Sequence, residues 1–191
     1  AREIARVQCG RRAGEEQGSG SLLPLQGWDE GLRGWNPKGD VSVVEQEGEK
    51  CLRLGARRGD QTASFQVYVP DPKPSTLYRL TFETRFSEDI TFDWSNAYPG
   101  LHGWLSHSSP TQGAGGAVRL REMRRSDKWL RSEYRLFTHA DVQSLYVSLG
   151  LNAVAGHALL RRLECIEEPV AEAEGRVILQ TPSGEWAEVG A

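Results

Sequence analysis

From Leu22 to Glu168 short apolar runs recur between turn-forming residues, and most of the runs alternate apolar with polar. Side chains of a β-strand point alternately to its two faces, so a period of two marks a strand with one packed and one wet face. In TLYRLTFETRF, Tyr78, Leu80, Phe82, Thr84 and Phe86 share one face, and Arg79, Thr81, Glu83 and Arg85 share the other. Leu145, Val147, Leu149 and Leu151 repeat the pattern, as do Leu130, Tyr134 and Leu136. Further strands are expected in DVSVVEQEG, EKCLRLGA, QTASFQVYV, GLHGWLSH, GAVRLREM and HALLRRLECIE. Breakers separate them: GEK near Glu49, PDPKPS before Thr76, SPTQGAGG after His107 and NAVAG after Leu151. Nowhere does a long stretch show the helical period with caps, so helices should be few and short. The expected fold class is all-β: a two-sheet antiparallel β-sandwich of jelly-roll type with about nine or ten strands.

The flanks differ in character. Residues 1–20 pass from AREIARVQC into the charged, Gly-rich RRAGEEQGSGS and read as an N-terminal leader or linker. Residues 21–168 form the expected sandwich domain. In 169–191, PVAEAEG reads as a linker and GRVILQTPSGEWAEVG as a hairpin around a TPSG turn, a stub that begins a following domain or completes this one.

Charge and motif content narrow the function. The 23 Lys and Arg are scattered among 26 Asp and Glu, for a net charge of −3, so nucleic acid is not an expected partner. No apolar stretch approaches the ~20 residues of a spanning helix, so no membrane partner is expected. Cys9, Cys51 and Cys165 are widely spaced without a zinc pattern, and whether two of them pair stays open. No G-x-S-x-G, HExxH or P-loop pattern occurs, and GAGG from Gly113 lacks the strand and helix context of a phosphate cradle. Glu83, Glu122 and Glu133 lie on expected strands, but spacing alone cannot set two carboxyls across a scissile bond. His102 and His107, with Asp93 upstream, do not share one strand face at metal-ligand spacing. Neither a metal nor a cofactor is expected.

Six Trp is a high count for this length. Trp94, Tyr98 and Trp104 lie close together around a loop with Asn96, Pro99 and two Gly. Sugar rings present apolar C–H faces on which an exposed indole stacks, while neighbouring polar groups bond the hydroxyls. In GLHGWLSH, alternation sets His102, Trp104 and Ser106 opposite Leu101 and Leu105. Arg79, Glu83 and Arg85 occupy the wet face of a second strand, and Gln66 and Tyr68 that of a third. A concave sheet carrying Tyr68, Glu83, Arg85, His102 and Trp104 would form a binding cleft. The plainer alternatives remain beside it: any one ring can be core, and the charges can be a solvated face of ion pairs, each worth ~0–1 kcal/mol.

The order DEGLRGW, EKCLRLG, LYRLTFETRF, KWLRSEYRLF, SLYVSLGL, GHALLRRLECIEE resembles the jelly-roll carbohydrate-binding modules of the family 4, 9 and 22 type over roughly Leu22 to Glu168. That resemblance implies a noncatalytic module that grips a polysaccharide or oligosaccharide, such as xylan or β-glucan. It further implies a covalently linked glycan-degrading catalytic domain, an extracellular or periplasmic location, and a monomer. It assigns structural, core positions to Trp35 and Trp129. Many such modules carry a pair of Asp on the final strand that helps hold a structural calcium, where this chain has Arg161 and Arg162. Guanidinium only donates, so calcium is not expected there.

TFDWSNAYPGLHGW followed by VRLREMRR is similar to a strand and loop of some jelly-roll polysaccharide lyases, which implies a base and a positive clamp for a uronic acid. His102, His107, Tyr98, Arg119 and Arg121 would fill those roles. A third alternative is a structural or interaction sandwich in a secreted multidomain protein, with the aromatic loop facing a protein.

Overall fold

The computed structural model describes residues 20–24, 28–56, 63–95, 99–110, 116–122, 126, 128–168, 177–180 and 186–189. The alternating runs become β1 (Asp40–Gln46), β2 (Glu49–Ala56), β3 (Ser64–Val69), β4 (Leu77–Phe86), β5 (Thr91–Phe92), β6 (Gly100–Ser108), β7 (Ala117–Glu122), β8 (Leu130–Phe137), β9 (Ser144–Asn152) and β10 (Val154–Glu168). All but the two-residue β5 coincide with runs expected from the sequence.

Two antiparallel sheets result. The larger has the order β1-β2-β10-β4-β8, with β5 paired to the start of β10, and the smaller has the order β3-β9-β6-β7. This is a β-sandwich of jelly-roll type. The inward positions of both sheets build one core: Tyr78, Leu80 and Phe82 of β4, Leu145, Val147, Leu149 and Leu151 of β9, and Leu101 and Leu105 of β6 are all buried. Each such side chain withdrawn from water contributes about 1.5–3 kcal/mol. Trp35 closes one flank, fully buried against Phe65 at 5.3 Å and Trp28 at 5.5 Å, and its indole N–H donates to the Pro24 carbonyl at 3.0 Å. The resemblance-based placement of Trp35 in the core holds.

β10 departs from plain alternation. Its register with β4 shifts between Arg161 and Glu164, and Arg162 adopts φ +49. A bulge adds a residue to one strand and turns consecutive side chains off opposite faces. Arg161 and Arg162 therefore both reach the same carboxylate, Glu83, at 2.7 and 3.3 Å.

The sandwich Gly20–Glu168 is one compact unit. Outside it, β11 (Val177–Gln180) and β12 (Trp186–Val189) pair antiparallel as the expected hairpin. The expected leader, apart from Gly20, lies outside the described residues.

Candidate functional site

On the smaller sheet, register decides which outward side chains meet. Tyr68 of β3 lies opposite Tyr146 of β9, which lies opposite Ser106 of β6. In the next row Gln66, Ser148, Trp104 and Arg119 run side by side across all four strands. The row beyond holds Ser64, Gly150, His102 and Arg121, and the last row pairs Gly100 with Asn152. With ~3.4 Å of rise per residue, Tyr146 to Asn152 spans ~20 Å along the strands.

This face is aromatic in its middle and polar around it. Trp104 is 44% exposed and Tyr68 48% exposed, and Tyr68 leans on Tyr146 with ring centroids 5.8 Å apart. Gln66 donates to the Tyr68 hydroxyl at 2.7 Å, and the Arg119 guanidinium lies 5.5 Å from the Trp104 ring centroid. A carbonyl can only accept, so the His102 Nδ1 that meets the Gly150 carbonyl at 3.3 Å donates to it. The indole is displayed by a close strand contact: a Cβ at Gly103 would lie 1.8 Å from the Ser148 carbonyl oxygen, which leaves room for no side chain there.

Trp94 belongs to the loop before β6 and is 68% exposed. It rests on Phe92 at 5.5 Å, and Phe92 rests on Phe86 at 5.7 Å, so a ladder of rings anchors it to the core. The preceding Asp93 amide donates to Ala153, the residue after Asn152, which sets Trp94 near the Gly100–Asn152 end of the face. Tyr98 lies outside the described residues.

Glu83 and Arg85 do not join this face, contrary to the single cleft expected of them. β4 belongs to the larger sheet, and its outward residues enter an ion-pair web. Arg85 meets Glu47 at 2.5 Å, Arg161 meets Glu83 at 2.7 Å and Glu49 at 3.1 Å, and Arg162 meets Glu49 at 2.8 Å. Trp129 is corrected as well. Rather than filling the core, it is half-buried in this web, with the guanidinium carbons of Arg85 and Arg161 at 4.8 and 4.0 Å from its ring centroid and its N–H donating to Glu47 at 3.2 Å. The Arg85 hydrogen bond, then that of Trp129, holds the Glu47 carboxyl below its ordinary range, and Arg162 does the same for Glu49. A calcium ion does not fit among these guanidinium groups, which bring positive charge and no lone pairs. A cavity of about 490 Å³ opens at the end of β4 and the start of β10, lined among others by Arg85, Glu88, Asp89 and His157.

The residues of the lyase pattern are dispersed. His107 is buried, and its Nε2 accepts the Gly116 amide at 3.0 Å, which locks β6 to the start of β7. Burial pushes its pKa down. An imidazole whose acceptor nitrogen is taken inside the protein cannot reach a substrate proton. His102, Arg119 and Arg121 lie instead on the open face. Cys51 and Cys165 are buried free thiols, and burial raises the Cys165 pKa to about 12. Tyr146 went unremarked in the sequence. The alternation of SLYVSLGLN already set it on the wet side, but its pairing with Tyr68 follows only from β9 lying next to β3.

No family model and no curated protein matches the chain. Solved structures do share its fold. A family 16 carbohydrate-binding module is 18% identical, covering 73% of this chain and 94% of that one with a TM-score of 0.56. A family 61 module, TmCBM61, solved with β-1,4-galactotriose, is 20% identical over 78% of this chain and 100% of that one, TM-score 0.50. The enzymatically active domain of tailspike protein 4 of bacteriophage CBA120 is 10% identical over 74% of this chain and 20% of that one, TM-score 0.55. The fold is thus that of the jelly-roll carbohydrate-binding modules, and it also occurs inside a larger enzyme chain.

Proposed function

We propose that this chain is a noncatalytic sugar-binding module that lays a polysaccharide along the outer face of the β3-β9-β6-β7 sheet. Sugar rings stack on Trp104, Tyr68 and Tyr146, and Gln66, Ser148 and His102 bond the hydroxyls. Trp94 extends the platform at one end. The observation that carries the reading is Trp104: a 44% exposed indole at the centre of a polar sheet face, flanked by the paired Tyr68 and Tyr146. An exposed ring on a regular strand forgoes burial worth about 1.5–3 kcal/mol, which a stacked ligand restores. The chemistry of neighbours of like fold supports it, since one is a complex with a galactose oligomer.

The same reading makes the chain a monomer tethered to a glycan-degrading catalytic domain outside the cell or in the periplasm, raising that enzyme's local concentration on its substrate. The hairpin β11-β12 then begins the neighbouring domain. Affinity electrophoresis against a panel of soluble polysaccharides is the test. Retardation by at least one glycan, lost in Trp104→Ala with the thermal midpoint unchanged, is the expected result. Retardation that survives in Trp104→Ala, Tyr68→Ala and Trp94→Ala alike would overturn the assignment of this face.

A further inference from the structure

The cavity at the end of β4 belongs to the larger sheet, not to the one that carries the aromatic face. Register sets Leu159 of β10 between Arg53 of β2 and Arg85 of β4, and His157 opposite Gly55. Leu159 is only 6% exposed although it stands apart from the core between the sheets, and it gives the cavity an apolar floor. One wall is the turn that follows β4, closed by the Ile90 amide donating to the Ser87 carbonyl at 3.1 Å and anchored by the fully buried Ile90 side chain. β10 starts tight against this turn: Gly156 adopts φ +123, and a Cβ there would lie 2.9 Å from both Ser87 Oγ and Ile90 Cα. The Ser87 amide donates to the His157 carbonyl at 2.9 Å, and the His157 amide donates to Ser87 Oγ at 3.1 Å. Floor and wall are thus fixed by the fold itself.

Resting on the binding reading above for the class of ligand, we infer that this cavity is a second carbohydrate site, which takes the end of a neutral glycan chain. Its volume, about 490 Å³, falls among those of pockets that enclose small ligands, about 300–1,000 Å³. A concavity with a floor and a wall admits a terminal ring, whereas the open sheet face lets a chain run through. Among the described residues, neither the Gln46 amide nor the His157 ring has a hydrogen-bond partner inside the protein, and both line the cavity. Burial pushes the His157 pKa down, so at neutral pH the ring offers one donor and one acceptor. Arg85 gives an N–H to Glu47 at 2.5 Å, which offsets its charge, and its guanidinium keeps further N–H donors. Sugar hydroxyls both donate and accept, and this rim answers both, while Leu159 lies beneath for the C–H face of the ring.

A long polymer offers one such end among many interior residues, so its retardation reports the aromatic face, and short sugars report the cavity. Titration calorimetry on the whole chain with the methyl β-glycosides of glucose, galactose and xylose, and with cellobiose and xylobiose, should show at least one of them bound. Gln46→Ala and His157→Ala should each weaken that binding fivefold or more while polymer retardation is kept, and Trp104→Ala should leave it in place. Gln46 is only half-buried beside the turn between β1 and β2, so its variant decides the matter even where His157→Ala fails to fold. In the Trp104→Ala background, xylan and β-glucan shortened by acid hydrolysis should bind more tightly per unit mass than the intact polymers, because their ends have multiplied. No binding of these small sugars, or binding that both cavity variants retain, would overturn the second site and leave the aromatic face untouched. No gain on shortening the polymers would overturn the preference for ends. Failure of every polymer to retard the parent chain would take down the aromatic face alone.

Discussion

The two outer faces of this sandwich are built from similar residues and come to opposite ends. Both carry arginines and a tryptophan. On the larger sheet Trp129 is enclosed by Arg85 and Arg161, which are held in turn by Glu47, Glu49 and Glu83, so ring and cations satisfy one another within the protein. On the smaller sheet Trp104 stands open to water, with only the Arg119 guanidinium over its ring among the described contacts, 5.5 Å from the centroid. A tryptophan beside arginines is thus not a binding site by composition; how far its neighbours enclose the ring decides. The first face has used its ring in folding, and the second leaves its ring surface open to water.

The largest test of that contrast swaps the two rings for alanine. Trp104→Ala should lower glycan affinity tenfold or more, about 1.4 kcal/mol, with the thermal midpoint kept. Trp129→Ala should leave affinity unchanged and lower stability, both read by calorimetry. Equal loss of affinity in the two variants would erase the distinction. Gly103→Ala sharpens it from the backbone side: its Cβ would strike the Ser148 carbonyl oxygen, so β6 and β9 must part beneath Trp104. A stability loss of about 1–3 kcal/mol by denaturant unfolding is expected, with weakened glycan binding.

Glu83→Gln acts on the sealed face alone. It removes the nearest of the charged partners of Arg161, whose side chain is only 13% exposed, and should cost about 1–3 kcal/mol without touching affinity. The smallest effects are those of pH. Glu47 and Glu49 are held below the ordinary carboxylate range, so the stability they contribute is present above pH 4.5 and is lost as pH falls through their folded-state values. His107 and His157 are depressed by burial, so below 6.5 the unfolded chain takes up protons that the folded one refuses, and stability falls from there downward. His107→Gln retains an acceptor for the Gly116 amide but cannot titrate. Its unfolding midpoint should decline less than that of the parent between about pH 7 and pH 5, the range in which an unperturbed imidazole changes charge, with His157 supplying the remaining slope. An identical decline in both proteins would remove His107 from the account.

Much of the candidate site was legible residue by residue. Alternation in GLHGWLSH correctly opposed Trp104 and His102 to Leu101 and Leu105, and it set Tyr68 on a wet side. Alternation could not say which strands are neighbours. Glu83 and Arg85 looked equivalent to His102 and Trp104 because each occupies an outward position, yet they lie on a different sheet. Trp129 precedes its strand, where no alternation applies, and its surroundings come from β4, β10 and the turn between β1 and β2.

The local sequence pattern by itself determined the fold class, every strand of the sandwich but β5 and, where a strand alternates, the side that meets water, because strand geometry is local and needs no knowledge of partners. Only the tertiary structure decided that β3, β9, β6 and β7 lie in one sheet. That pairing gathers Tyr68, Tyr146, Trp104 and Arg119 onto one surface and leaves Glu83 and Arg85 to the other. Strand order depends on hydrogen bonds between residues far apart in the chain, and no local pattern of side chains encodes it.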